Sequence, residues 1–434
     1  MQPTSRIEKI AVIGLGRVGL PFAVSLFNAG FDVRGIDANA EWVKRLNTER
    51  SFPFHEPGFD DIPQGDRWTV TDSYAELDDV DAFIVTVGTP LDVNLVPNLS
   101  PIKNVLGALT GELRKGKLLI FRSTLGLGVT KAIAKRIERS GACKSGVPNI
   151  AYCPERLAEG KAREELRTLP QIIAAEEDDT FTQCLQIFGR LAPRVHRVGL
   201  REAELIKLLC NTSRYMQFAV SNWVHEFILA QDIDPYTLLD IANDGYPRPI
   251  PDRAGFTAGT CLRKDYGLLV QDNTIGDFAL AAWRVNERQP LSLLSAIKRE
   301  TDISDKTVAI MGLGFKKDVD DLRDSLALKL AELIQPHCEQ VFFHDPYVGE
   351  QTIELSLHPI QGRSMAAVRD DADILIVGAN HSAYAKLADE IARWPARPRM
   401  IVDIWRGTGF KQTITKMEAV SADLRETPRP KLVS

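Results

Sequence analysis

IAVIGLGRVGLPFAVSLFNAG, residues 10–30, decides how the rest of the chain is read. The run is apolar, but it carries Arg17 at its middle and glycines at 14, 16 and 19, and no signal-cleavage pattern follows it. A leader peptide or a membrane span fits this poorly. A short strand passing through a glycine turn into a helix fits it well. The first glycine permits the tight turn, the second lets the backbone approach a pyrophosphate, and the third lets helix and strand pack closely, while the helix N-terminus supplies its amide dipole. The next strand, FDVRGID, ends in Asp37, at the spacing of about twenty residues that a dinucleotide site uses for its ribose acid. An acid there accepts from both ribose hydroxyls and repels a 2′-phosphate, which favours NAD over NADP. Arg34 is the nearby residue that would oppose this choice. Gly14, Gly16, Arg17, Val18, Gly19 and Asp37 are therefore the expected cofactor contacts, with the Arg17 charge within reach of the pyrophosphate.

The pattern returns late in the chain. KTVAIMGLG, residues 306–314, again reads as a charged start, an apolar strand and a glycine turn. Helical patterns follow both turns, at 20–29 and 325–334. Further apolar runs punctuate each half: AFIVTVG, KLLIFRS and NIAYCPE in the first, QVFFHDP, ADILIVGAN and MIVDIW in the second. Strands alternating with helices predict an α/β fold with two Rossmann-like, doubly wound parallel-sheet domains. Between them the glycine-strand pattern disappears, and 202–232 reads as one long helix. The expected division is 1–200 for a dinucleotide-binding domain, 201–301 for a central helical domain, and 302–434 for a second Rossmann-like domain. The long helix could pack wholly within its own chain, or present a surface for two-fold self-association into a homodimer or larger assembly. ETPRPKLVS, at the end, reads as a loose tail.

Composition narrows the function. The chain has 434 residues, 44% apolar and 26% charged, with a formal net charge of −5. That balance argues against a nucleic-acid or anionic-membrane surface. Cysteines at 143, 153, 184, 210, 261 and 338 form no CxxC pair, which predicts reduced thiols in a cytoplasmic protein and no metal site. One of them stands apart. GFTAGTCLRKDYG, residues 255–267, sets Cys261 in a small-residue loop shortly before Lys264 and Asp265, a setting for sulfur chemistry more than for packing. Thr89 in VGTPLD and Ser123 and Thr124 in FRSTLGLGVT follow apolar strands, where ligands of such folds sit.

Together, GLGRVGLP, GTPLD with PNLSP, RSTL, YCPERLAEGKA, AELIKLLCN, the Cys261 loop and GLGFKKDVDDLRDS resemble the UDP-glucose/GDP-mannose dehydrogenase family over nearly the whole chain. The resemblance implies NAD-dependent, four-electron oxidation of the 6-hydroxyl of a UDP-sugar to a carboxylate, in a pathway to surface polysaccharide. It gives Cys261 a covalent role, through a thiohemiacetal and then a thioester. Lys207 and Asn211, at i and i+4, share one helix face, and the resemblance sets them beside the reacting carbon as oxyanion donors. Glu155, Glu159 and Asp265, with Thr124 as a helper, are the candidates for activating water, and the sequence does not rank them. Arg156, Gly259 and Lys316 are implied sugar-nucleotide contacts, Arg323 a cofactor contact, and Arg248 a residue offered to a neighbouring subunit's pocket. Three positions depart from the family: Ala258 and Arg263 replace a glycine and a proline of its cysteine loop, and Arg17 stands where an aromatic residue is frequent. The PERLAEGKAREELRTLPQII and GYPRP segments resemble members acting on UDP-N-acetylhexosamines, with UDP-N-acetylmannosamine first, its N-acetylglucosamine epimer next, and UDP-glucose third. A 6-phosphogluconate-type hydroxyacid dehydrogenase and a catalytically silent NAD-binding protein are the rivals. The first has no use for Cys261, and the second none for the Lys207, Asn211, Cys261 and Asp265 set.

Overall fold

The structure, a computed structural model, describes residues 6–90, 97–141, 143, 146–257, 259–270, 276–395 and 398–417. Ala258 and the C-terminal tail, both singled out in the sequence, lie outside them. Internal contacts divide the chain into two units, Met1–Arg214 with Cys261–Gly276, and Tyr215–Thr260 with Asp277–Ser434. The helical segment 201–301 is thus shared between the units.

Among the described residues the first unit carries an eight-stranded sheet: β1 (Lys9–Ile13), β2 (Asp32–Ile36), β3 (Trp68–Thr71), β4 (Ala82–Val85), β5 (Leu118–Phe121), β6 (Asn149–Tyr152), β7 (Gln171–Ala175) and β8 (Val195–Val198). Their order is 3-2-1-4-5-6-7-8, parallel except for the β6–β7 pair. β4 and β5 are buried at every position, as central strands covered on both faces must be. Leu20, Phe22, Phe31 and Phe188 fill one face of the sheet, and Val85, Leu109, Phe121 and Tyr152 fill the other. Strand order reverses between β1 and β4, and the GLGRVG turn leaves the carboxyl end of β1 at that switch point, where open α/β sheets form their ligand crevice.

The second unit repeats the plan on a smaller scale. β9 (Thr307–Met311), β10 (Gln340–His344), β13 (Ile374–Val377), β14 (Met400–Val402) and β15 (Ile414–Lys416) pair in the order 10-9-13-14-15, with β15 antiparallel, and the short β11 (Thr352–Ile353) and β12 (Ile360–Gln361) form a separate ribbon. Even the turn chemistry is duplicated. Leu15 N–H donates to Asp37 Oδ2 at the end of β2, and Leu313 N–H donates to Asp345 Oδ2 just past β10, both at 2.7 Å. The second turn is covered, however. A Cβ on Gly312 would lie within 3 Å of both Ala379 and the His381 ring, and His381 Nδ1 accepts from Asp318 N–H, so that Nε2 is left to donate to Asp345.

The long helix runs from Leu200 to Leu229, as the 202–232 pattern predicts to within a turn. Only part of its apolar set is covered. Leu208 and Ala219 are buried, whereas Leu205, Leu209, Val220, Trp223 and Phe227 are exposed. Among the described residues no helix is long and apolar enough to cross a membrane.

His225, on the second unit's part of this helix, is 2% exposed, and its Nε2 meets Thr413 Oγ1 at 3.0 Å. Burial pulls its pKa down to about 4, against a small opposing pull from Asp234. The unfolded chain therefore takes up this proton first as the pH falls. The stability His225 contributes is full above its ordinary value and is lost between pH 6.5 and about 4, up to about 3 kcal/mol. Denaturant melts at pH 7 and pH 4.5 should show this loss, and His225→Gln should flatten it.

Candidate active site

At the cofactor end, the three glycines of the first turn differ in kind. Gly14 has φ +95°, and a Cβ there would meet Val87 N at 3.0 Å; Gly16 has nothing within 4 Å; a Cβ on Gly19 would stand 1.8 Å from Gly14 O. Turn, open approach and close packing fall on the first, second and third glycine, which is the fit a pyrophosphate needs. Asp37 accepts from Leu15 N–H through Oδ2 and from Asn39 N–H through Oδ1, at 2.7 and 2.9 Å. Each oxygen retains acceptor capacity for a hydroxyl. Arg34 is turned to the Glu76 carbonyl and lies 3.8 Å from Asp79, so its charge is already engaged there. Val18 occupies the cap position of the following helix, Gly19–Asn28, without a side-chain bond to it. Arg17 Nη1 pairs with Glu159 Oε1 at 2.8 Å, and its guanidinium lies 4.9 Å from the Phe54 ring centroid.

The cysteine helix, Thr260–Val270, begins beside the loop residue Gly259 and places Cys261, Lys264 and Asp265 at i, i+3 and i+4, on one face. Asp265 is fully buried. Its Oδ2 accepts from Asn211 Nδ2 at 2.5 Å and faces Lys207 Nζ at 3.5 Å, while Oδ1 has no hydrogen-bond partner among the described residues. Burial pulls the Lys207 pKa down, but Asp265 first, then Glu155 and Cys261, outweigh it, so the group stands above the ordinary lysine value as a firm ammonium. Cys261 is exposed to solvent, yet enough protein surrounds it that desolvation is the largest influence and raises its thiol pKa; Lys264 and then Lys207 pull it down, and Asp265 and Glu155 push it up. The surface exposure describes its access to substrate, and the crowding describes its electrostatics.

This geometry separates the two glutamates that the sequence leaves level. Glu155 is 7% exposed, accepts from Leu157 N–H, and acts electrostatically on Lys207 and Cys261. Glu159, four residues on, is paired with Arg17. The hydroxyls of the polar loops also have partners. Thr89 Oγ1 donates to the Thr124 carbonyl at 2.8 Å and faces Lys264 Nζ at 3.4 Å; Ser123 Oγ donates to the Val87 carbonyl at 2.7 Å. Both hydroxyls brace neighbouring loops. Arg156 Nη2 donates to the Pro170 carbonyl at 2.5 Å.

The remaining predicted residues belong to the second unit. Gly259 has φ +93°, and a Cβ there would stand 2.4 Å from the Phe315 ring, so the family's glycine is required at this point by space as well as by backbone. Arg323 makes a two-point ion pair with Asp321 in its own loop, Nη2 to Oδ2 at 2.5 Å. Lys316 is half-buried, and Arg248 is exposed with its guanidinium 5.2 Å from the Tyr246 ring centroid.

Three residues escape the sequence reading. Arg122 is buried between Phe22 and Phe188, and its Nη1 donates to the Cys153 carbonyl and Gln171 Oε1, both at 3.2 Å. Glu56, 2% exposed, accepts from Gly160 N–H and Ala162 N–H at 2.9 Å, and so holds the loop that carries Glu155 and Glu159. Glu204 is fully buried on the long helix. The sequence signal for it is an acid three residues before Lys207 on the same helix face.

A dinucleotide turn and a thiol among cations and carboxylates in one unit, with a second nucleotide-fold unit, define a dehydrogenase of activated sugars. The chain belongs to the UDP-glucose/GDP-mannose dehydrogenase family: residues 8–192 match its NAD binding domain and residues 309–408 its UDP binding domain. It is accordingly an NAD-dependent oxidoreductase of UDP-sugars. It is 29% identical to the UDP-N-acetyl-D-mannosamine dehydrogenase of Pyrococcus horikoshii, over 91% of this chain and 94% of that protein. It is 28% identical to UDP-glucose 6-dehydrogenase AglM of Haloferax volcanii, over 91% and 96%. The solved structure of the UDP-D-ManNAc dehydrogenase from Pyrococcus horikoshii superposes with a TM-score of 0.77 at 27% identity, covering 91% of this chain and 94% of that one.

The glycine geometry makes a paired prediction. Gly16→Ala should fold with a melting temperature near the parent's and bind NAD more weakly, because its Cβ enters only the open approach. Gly19→Ala should lose about 3 kcal/mol or more of stability, since its Cβ overlaps backbone. Thermal melts with and without NAD, and NAD titration, check both.

Proposed function

We propose that this protein oxidises the 6-hydroxyl of UDP-N-acetyl-D-mannosamine to the carboxylate, with Cys261 holding the intermediate. The observation that carries this reading is the grouping of Cys261 with Lys207, Lys264, Asp265 and Glu155 in one unit. The choice of sugar is supported by the name of the Pyrococcus horikoshii relative and by the YCPERLAEGKA and GYPRP segments. UDP-glucose is the second reading, favoured by a relative of nearly equal identity that bears that name.

The chemistry NAD supplies when bound is hydride acceptance, once for each of the two oxidations. Gly14, Gly16, Gly19 and Asp37 would hold it. Lys207 and Asn211 donate to the sugar oxygen as negative charge develops on it, and a lysine held firmly as the ammonium suits a donor better than a base. Loss of the first hydride from the 6-carbon, with the hydroxyl proton passing to solvent, leaves an aldehyde; the Cys261 sulfur adds to its carbon as the thiol proton passes to the carbonyl oxygen, which gives a thiohemiacetal. Its oxidation leaves a thioester on the same sulfur. Glu155 then takes a proton from water, the hydroxide oxygen bonds to the acyl carbon, and the carbon–sulfur bond breaks to release the carboxylate and return the thiol. Asp265 holds Lys207 and Asn211 in place throughout. A panel of UDP-N-acetylmannosamine, UDP-N-acetylglucosamine and UDP-glucose with NAD should give fastest turnover with the first and two NADH per sugar. Glu155→Gln should accumulate an acyl mass on Cys261. A preference for UDP-glucose removes the hexosamine assignment; full uronate production by Cys261→Ala removes the covalent one.

The stretch 201–301 is the proposed self-association region. In the second unit, Trp223 and Phe227 stand 52% and 59% exposed with ring centroids 5.9 Å apart, and Phe278 is 63% exposed. Aromatic surface of this size is better covered than wet. Sedimentation equilibrium should find at least a dimer, and Trp223→Glu should shift it toward monomer; a monomeric parent would remove the idea.

A further inference from the structure

Glu204 is a carboxylate with no exposure to solvent, and among the described residues its hydrogen-bond partners lie on one short stretch of chain, 128–130. Its Oε2 accepts from Gly128 N–H at 2.6 Å, and its Oε1 accepts from Thr130 N–H at 2.8 Å and from Thr130 Oγ1 at 2.7 Å. These donors open the helix Val129–Ser140, whose own cap residue, Gly128, offers no side chain. A carboxylate there satisfies amides that the helix leaves unpaired and meets the positive end of its dipole. Both Glu204 oxygens are thus engaged at the helix start. Capping alone does not explain its position in the sequence, however, because it lies three residues before Lys207 and seven before Asn211 on the same face of the long helix.

The contacts close into a ring. From Glu204 the path runs to Gly128 and Thr130, then back along the 122–128 loop to the Thr124 carbonyl. That carbonyl accepts from Thr89 Oγ1, which faces Lys264 Nζ. Lys264 adjoins Asp265 on the cysteine helix, and Asp265 binds Asn211 and Lys207, which return the path to Glu204. Both cations that pull the Cys261 thiol down, Lys264 and Lys207, are members of this ring. Glu204 touches neither the sulfur nor the sugar-facing groups, but it is the link that fixes the long helix against the loop.

We propose that Glu204 is a positioning residue that sets Lys207 and Lys264 about Cys261 by clamping the long helix to the start of Val129–Ser140. The proposal rests on Cys261 being the reacting thiol, and its test reads the thiol directly, without turnover. In the full-length chain, the rate of Cys261 alkylation by iodoacetamide is followed against pH by peptide mass spectrometry, with exposed Cys210 as the internal control. Glu204→Ala should move the Cys261 labelling midpoint upward by about one pH unit and leave Cys210 unchanged. It should lower kcat roughly 30-fold while changing the KM for UDP-sugar by less than about 3-fold. Glu204→Gln, which keeps the shape and one acceptor, should fall between parent and Ala, as should Thr130→Val. A Glu204→Ala protein that melts earlier but keeps the parental labelling midpoint and kcat overturns the proposal. If that variant does not fold, parental values in both Glu204→Gln and Thr130→Val overturn it equally. Failure of the Cys261 assignment would show separately, as uronate production by Cys261→Ala.

Discussion

The buried Asp265 carboxylate is the constraint on which the site depends. A carboxylate with no exposure is costly unless paired, and here one oxygen is shared by Lys207 and Asn211 while the other, also buried, has no hydrogen-bond partner among the described residues. The arrangement keeps Lys207 charged despite its own burial. It also ties the cysteine helix to the long helix, two elements about sixty residues apart in sequence, within one unit. This pairing supplies the largest of the charges that hold Lys207 as an ammonium.

Around that pair the site assigns separate tasks to chemically similar groups. Asp265 holds cations, whereas Glu155 accepts from Leu157 N–H and sits close enough to act on Lys207, Cys261 and Arg122. Glu159, Glu56 and Glu204 each face a different partner: an arginine, a loop and a helix start. Burial and partner separate five carboxylates that composition would count as equivalent.

What the sequence makes legible here is local. The roles of Gly14, Gly16 and Gly19 follow from a turn a few residues long, and the structure assigns turn, opening and packing to them in that order. The central strands read directly as apolar runs, and Lys207 with Asn211 follows from helix geometry alone. What stays hidden is long-range. Arg17 finds Glu159 across 142 positions, and Glu204 reaches Thr130 across 74. Nothing in either neighbourhood announces its partner. Thr89 and Ser123 show the same limit, since each hydroxyl donates to a carbonyl some 35 positions away that its own neighbourhood does not announce. The covered second turn is hidden too: the GLG spelling repeats, but His381, contributed from beyond β13, lies over it.

The raised thiol pKa of Cys261 has a chemical corollary. A sulfur open enough to meet a sugar is open to small oxidants as well, and those attack the thiolate. Because desolvation is the largest influence on the thiol and raises its pKa, less of the resting sulfur is thiolate than in an uncrowded cysteine, and less of it is open to the sulfenic acid that ionisation would invite.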